Sequence, residues 1–426
     1  MINRKIAPVI KDAIDYSLAL KPFQHSILNN GINIYSINAG AQEVFQMELV
    51  FYAGNCFELQ KGVAAATNFL LKNGTLNKSA FEINESFDYY GGYCNRACYN
   101  ETSVISLHGL TKHMEKLLPV VKEMITEATF PQNELDVYQQ NAKQRLKVNL
   151  QKAEFVAGRL IDSYVYGDAH PYGVYTNPTD IDALSIDACK KFYQQYYING
   201  HCKIFISGKL PDNIHDILNC FFGDLSTSVN EIIIPKATLS PAFEKKYRIQ
   251  NDNTAVQGAI RLATPFPNRH HPDFKEIMVV NTLFGGFFGS RLMNNIREDK
   301  GYTYGIYSYI QNHMQETAWI ISTEAGKDVS ETTIQEVYKE MKILREEKVT
   351  DDELLLVRNY MIGGILGELD GPFQIMAKWK NIIINNLDEN YFYNSIDTIK
   401  NITSERITEL ANKYLRPDEF YELVVY

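Results

Sequence analysis

No two of the nine histidines in this 426-residue chain stand four positions apart, and none occurs between His25 and His108. A helix carrying two histidines one turn apart around a zinc ion, in either the HExxH or the inverted order, is therefore absent. Cysteine offers no substitute. Cys56, Cys94, Cys98, Cys189, Cys202 and Cys220 form no CxxC pair, which removes a cysteine zinc knuckle and a dithiol redox pair. Cys94 and Cys98 share one face of a predicted strand, but no second pair completes a site, and all six are expected as free buried thiols. Basic charge is short as well: 42 Lys and Arg face 51 Asp and Glu, a net charge of -9, which disfavours nucleic acid and acidic partners. No apolar run approaches the roughly eighteen residues of a membrane helix. The opening MINRKIAPVIKDAIDYSLAL is broken by Lys11, Asp12 and Asp15 before a signal-peptide core can form. A cytoplasmic protein without membrane contact is the expectation.

What is present is a globular composition, 45% apolar and 22% charged, in a chain too long for one core. Strands are predicted at 30–36 and 44–52 and a helix at 62–72; Ser79-Ala-Phe-Glu82 reads as a capping box for a short helix stopped by Gly91-Gly92. Two strands within 93–110, helices near 112–128, 132–150, 152–166 and 180–197, a strand at 203–207 and a helix near 212–222 complete the first half. Residues 227–245 lack a sustained period and read as a linker between a domain at 1–226 and one at 246–426. The second half repeats the first: strand 255–264, helix 271–284, a helix at Ser290 ending at Gly301, strands at 302–310 and 316–324, and a Thr350–Glu353 capping box. The offset drifts from about 210 to about 219 residues, as a duplicated domain with insertions would. Strands grouped ahead of helices predict an α+β fold: two duplicated domains of about 210 residues, each an antiparallel-type sheet with packed helices, enclosing a cleft.

The stretch Leu283 to Tyr304, LFGGFFGSRLMNNIREDKGYTY, reads as a glycine loop, an amphipathic helix, a glycine cap at Gly301 and an aromatic strand. It lacks the G-K-[ST] ending of a phosphate loop and follows a helix instead of a strand, so phosphate binding is not expected. An Arg and a Tyr seven apart mean nothing alone; the flanks GGFFGSRL and IREDKGYTYG give Arg297 and Tyr304 their weight.

Three passages carry a resemblance: Gly62-Val-Ala-Ala-Ala-Thr-Asn-Phe-Leu-Leu-Lys-Asn-Gly74-Thr75, His170-Pro-Tyr-Gly173, and Gly285 to Tyr304. Through them the chain resembles the pitrilysin/insulinase family of zinc metallopeptidases, and within it the non-catalytic subunit of the two-chain, processing-peptidase-like subclass. The family's H-x-x-E-H zinc helix falls here on Ala65, Asn68 and Phe69. The stretch matching the third ligand, Gln139 to Leu146, holds no acidic residue. Phe with Ala is expected to fill the pocket with apolar volume, leaving this chain without a metal and inactive in isolation.

The resemblance implies that Arg297 and Tyr304 stabilise the charge that grows on a peptide carbonyl. It also implies that Gly285, Gly286, Gly289 and Ser290 flank the peptide path, and that a homologous partner chain supplies zinc. A peptide or unfolded polypeptide is the implied substrate. The alternative is a structural or binding protein like the respiratory-complex core subunits that share this fold without proteolysis. His170 is expected in a packing turn, His270-His271 in solvent, and Glu101 to Val104 on a strand that pairs with substrate in active relatives and here is core or edge.

Overall fold

The computed structural model describes residue 12, residues 15–228, residue 230 and residues 232–426. Most of the amino-terminal stretch weighed as a leader lies outside these residues, as do Val229 and Glu231 of the linker. Among the described residues no helix is long and apolar enough to cross a membrane.

Two compact units form among the described residues, one from residues 22–243 with 371–381, the other from 244–370 and 382–426 with the described residues before Pro22. The short segment 371–381 thus belongs to the first unit although it lies deep in the second half of the sequence.

The amino-terminal unit is built on β1 (Gln24–Ile27), β2 (Asn33–Asn38), β3 (Val44–Phe51), β4 (Tyr93–Cys98), β5 (Ser103–Leu110) and β6 (Cys202–Gly208). Their order across the sheet is β1-β2-β6-β3-β5-β4. All neighbours are antiparallel except β2 with β6, which run parallel with Ile34 opposite Ile204. Strand alternation sends Phe45, Met47, Leu49, Ile105 and Leu107 into one core. That core is shared with α1 (Val63–Leu70), α2 (Ala80–Tyr89) and α3 (Met114–Thr126). Next come α4 (Gln132–Asn149), α5 (Ala153–Tyr166), α6 (Pro178–Asp182), α7 (Ile186–Tyr193) and α8 (Ile214–Phe222). Ser79 and Glu82 form the expected reciprocal cap on α2.

Two expectations are overturned, for the helix at 180–197 and for the burial of the cysteines. The single helix predicted at 180–197 is α6 and α7, because Ser185 turns its hydroxyl onto the Ala188 N–H and starts a new helix; residues 194–198 then widen into a π-type turn. β5 lies inside the sheet, paired on both sides, which places Ser103 and Val104 on the core side of the core-or-edge alternative and leaves β1 and β4 as the outer strands. Cys220 is exposed and Cys98 only partly buried, though all six cysteines are free.

The carboxy-terminal unit repeats the plan with β7 (Lys246–Ile249), β8 (Gln257–Phe266), β9 (Thr303–Asn312), β10 (Thr317–Gly326) and β11 (Tyr421–Val425), ordered β7-β11-β8-β10-β9. The parallel pair recurs as β7 with β11. Strand for strand, β7, β11, β8, β10 and β9 occupy the places of β2, β6, β3, β5 and β4. Its helices are α9 (Phe274–Asn281), α10 (Ser330–Glu346), α11 (Asp351–Glu368), α12 (Pro372–Ile384), α13 (Glu389–Asn401) and α14 (Ser404–Tyr414), the first part of α12 falling in the other unit. The α+β fold with two duplicated sheets is as the sequence led us to expect; the one parallel pair in each sheet is the departure from a purely antiparallel one.

Candidate functional site

In the amino-terminal unit the region to inspect is α1. Gly62 precedes it with φ +85°, a left-handed conformation that favours glycine. The Glu58 carboxylate accepts the N–H groups of Gly62 (3.0 Å) and Ala64 (3.1 Å) at the helix start, and burial nonetheless pushes its carboxyl above the usual range. Along the helix, two of the three positions that the resemblance aligns with a metal frame, Asn68 and Phe69, have packing roles. Asn68, 3% exposed, donates its amide to the Tyr197 hydroxyl at 3.0 Å, on the widened turn after α7. The Phe69 ring lies 5.0 Å from Tyr138 of α4 and 5.1 Å from the Arg96 guanidinium of β4. Arg96 also donates to the Phe69 carbonyl and, at 3.2 Å, to the Asn73 side chain; burial pulls its pKa down.

α4 does run beside α1, where a third ligand would be needed. Gln139, however, spends its amide on the Ile181 (2.8 Å) and Leu184 (3.2 Å) carbonyls. Zinc asks for three protein donors of the imidazole, thiolate or carboxylate kind. Ala65 and Phe69 have no donor atom and Asn68 is neutral and engaged, so these residues do not fit the ion; no group of three or more His, Cys, Asp or Glu that could hold a metal occurs among the described residues.

The expectation that Phe and Ala fill the vacated volume holds at Phe69 and fails at Ala65. The Ala65 methyl lines a cavity of about 320 Å³ together with residues of α4 and α5.

The second region runs from α9 into β9. α9 passes into a widened turn at 282–286, interrupted at Gly285, whose backbone leaves the helical conformation, and followed by Phe287 in an extended one. A Cβ on Gly285 would stand 2.7 Å from the Ser308 Cβ and 2.9 Å from Leu292, so glycine is required for the loop to lie against β9. The close approach therefore serves the protein's own strand. Ser308 is fixed in turn: its hydroxyl donates to Asn281 at 2.7 Å and accepts the Trp319 indole N–H at 2.7 Å. Of the four loop residues expected along a peptide path, Gly285 and Ser290 are buried, the latter 1% exposed with no partner for its hydroxyl. Gly286 and Gly289 alone are partly open, because the loop folds inward at both ends.

The predicted Ser290 helix is a π-type segment, residues 293–299, closed by Gly301 at φ +66°. Gly301 donates to the Arg297 carbonyl (3.1 Å) and Tyr302 to that of Ile296 (3.1 Å). Such widened turns gather at functional positions. Side chains from α10 and α11 brace the segment. Arg291 makes a two-pronged bond to Glu353 at 2.8 and 3.1 Å, and Glu353 also completes the Thr350 capping box of α11. Asn295 donates to Glu340 at 2.6 Å and Glu336 at 3.2 Å.

Arg297 and Tyr304 come together, but not tip to tip. Arg297 Nε donates to the Tyr304 carbonyl at 2.9 Å, a second nitrogen pairs with Glu298, and the guanidinium lies 4.6 Å from the Phe288 ring. The Tyr304 side chain is 92% exposed and its hydroxyl has no partner among the described residues. Phe288, 63% exposed, is the member missed in the sequence. Its neighbour Phe287 turns the other way and stacks on Tyr360 at 4.6 Å, and nothing in the string FFG tells which of the two faces out.

His170 forms the turn expected of it. Its carbonyl accepts Gly173 (2.9 Å) and Val174 (2.8 Å), its Nδ1 accepts the Tyr172 N–H at 3.2 Å, and burial holds its pKa below the usual histidine value. Glu101 accepts the Tyr172 hydroxyl within the same unit.

The duplicated α+β units, with α1 offering no imidazole, thiolate or carboxylate at 65, 68 and 69 and a braced glycine loop ahead of β9, are placed in a class by comparison with known proteins, which makes this a peptidase-fold protein. Residues 34–171 match the insulinase model of peptidase family M16, and residues 183–361 match the model described as the peptidase M16 inactive domain. The chain belongs to the pitrilysin/insulinase family. Among its relatives, the uncharacterized zinc protease YmxG of Bacillus subtilis is 23% identical over 369 residues, 85% of this chain and 88% of that protein. The solved peptidase M16 inactive domain from Pseudomonas fluorescens superposes with a TM-score of 0.84 at 23% identity, covering 95% of this chain and 98% of that one. A protease from Helicobacter pylori gives 0.85 at 15% identity, over 96% and 100%. The two structural likenesses speak to the fold.

Proposed function

We propose that this chain is the zinc-free subunit of a two-chain peptidase, contributing Arg297 and Tyr304 to peptide binding and carbonyl stabilisation while a homologous partner supplies the metal. The observation that carries the reading is the contrast in donors. The family's metal frame falls on Ala65, Asn68 and Phe69, of which Asn68 and Phe69 are engaged in packing and Ala65 offers no donor, whereas Tyr304 presents an unengaged phenol from a backbone that Arg297 grips. A phenol O–H and the free guanidinium N–H groups are donors suited to a carbonyl oxygen gaining negative charge. Phe288 and the open edge of Gly286 and Gly289 would lie beside the peptide.

The test is co-expression with a homologue that carries the zinc motif, followed by peptide cleavage assays of each chain alone and of the pair. The expected result is activity only in the pair, lowered on the order of 100-fold to 1,000-fold by Arg297→Ala with Tyr304→Phe. Full activity in that double variant would sink the role assigned here. A stable homodimer that ignores every zinc-bearing homologue would instead favour a structural or binding protein.

A further inference from the structure

The cavity beside Ala65 is more than vacated space, because one wall of it carries a charge with no counter-charge. Arg159 of α5 lies between two rings, 4.0 Å from Tyr175 and 5.5 Å from Phe155. One of its amino groups donates to the Thr176 carbonyl at 2.8 Å, with a longer 3.5 Å contact to Asn177. Among the described residues no carboxylate pairs with it, and burial lowers its pKa. A guanidinium has five N–H donors, so several remain to be used. Most of the remaining lining is apolar or aromatic, with Ala65, Tyr138, Ala142, Leu146, Phe155 and Ile181 prominent and Asn149 and Thr176 the polar exceptions, around about 320 Å³. That size sits at the small end of pockets that hold organic ligands.

We propose that this cavity binds an apolar carboxylate, its chain or side chain among the α1 and α4 residues and its carboxylate on Arg159. The chemistry follows from the wall. A half-buried cation flanked by aromatic faces is stabilised by an anion able to accept two parallel N–H bonds, and an apolar body gains by leaving water for the remaining lining. Either a free aliphatic acid or the carboxy-terminal residue of a peptide has this chemistry. The inference uses the amino-terminal unit alone and stands whether or not the chain joins a peptidase.

The experiment is calorimetric titration of the full-length chain with octanoate, with a short peptide ending in leucine, and with the amidated forms of both. Binding of at least one acid is expected, with its amide weaker by roughly tenfold to a hundredfold, the loss of a charge-assisted hydrogen bond. If only octanoate binds, the source is a free acid; if the free-ended peptide binds, it is a chain terminus. Arg159→Gln should reduce acid binding to the level of the amide, and Ala65→Leu, which fills the cavity without touching the charge, should abolish both. Thermal melting confirms that each variant is folded, and should Arg159→Gln not fold, Arg159→Lys, which keeps charge but loses the two-pronged geometry, takes its place with weaker binding expected. Equal affinity for acid and amide, undiminished binding in Ala65→Leu, or no binding of any of the four compounds overturns the proposal.

Discussion

Each unit lays an arginine across a phenylalanine and spends part of the guanidinium on a backbone carbonyl. In the amino-terminal unit Arg96 lies 5.1 Å from Phe69 and takes the Phe69 carbonyl; in the carboxy-terminal unit Arg297 lies 4.6 Å from Phe288 and takes the Tyr304 carbonyl. The ingredients match, and the surroundings differ. Arg96 is half-buried, its Nε has no partner, and its phenylalanine packs on Tyr138 against the core. Phe288 and Tyr304 stand in solvent. An arginine–aromatic pair thus serves as packing where the frame has lost its chemistry, and as a presented surface where chemistry is proposed. What separates the two is the exposure of the ring, half-buried at Phe69 and open at Phe288, which sequence spacing does not encode.

That contrast is open to direct attack, the largest effect first. Phe69→Ala should destabilise the amino-terminal unit by about 3 kcal/mol, since it deletes a packed ring and leaves Arg96 without its cover. Phe288→Ala should shift stability by no more than about 0.5 kcal/mol, as exposed substitutions do. Chemical denaturation followed at the two tryptophans separates the units, because Trp379 belongs to one and Trp319 to the other. Comparable losses from both substitutions would break the comparison.

A middle-sized effect is expected from Glu353→Gln, which weakens both the Arg291 bond and the α11 cap. The cost should be about 1 to 3 kcal/mol, read from the Trp319 signal, with the Trp379 signal unmoved. In the proposed peptidase pair this variant should also lower cleavage while leaving zinc content unchanged, since it acts on the segment that holds Arg297.

The smallest effect concerns pH. Burial holds His108, His170 and His201, all in the amino-terminal unit, below the usual histidine value. The unfolded chain then binds more protons than the folded one as pH falls through about 6.5, so stability is lost on that side and regained above it. Melting of a Trp319→Phe variant, which leaves Trp379 to report, should drop between pH 7 and pH 5.5. His170→Gln should flatten part of that slope. A pH-independent melting temperature would argue that these rings gain nothing from being neutral.

Local signals in the chain proved readable. The capping boxes at Ser79 and Thr350 are formed as spelled, and Gly91 and Gly301 both adopt the left-handed cap, with φ +63° and +66°. These are short-range chemistries, settled within four residues. The empty volume beside Ala65 was not readable, because it depends on Leu146, Phe155 and Arg159 arriving from other helices. Nor was the division of labour between Phe287 and Phe288, which is decided by Tyr360 on a helix far along the chain. The terminal strand β11 was also missed. Its five residues are all buried, so they carry no alternation to betray a strand.

The assignment of residues 371–381 bears on how this chain can be divided. Trp379 packs edge-on against Phe23 at 4.7 Å, and Lys380 pairs with Glu48, whose side chain is 13% exposed. A fragment ending at Phe243 would leave that carboxylate without its cation and Phe23 with Tyr35 but without Trp379. A duplication still visible strand by strand thus leaves a debt across its own boundary: the first unit borrows residues 371–381 from the second half of the sequence.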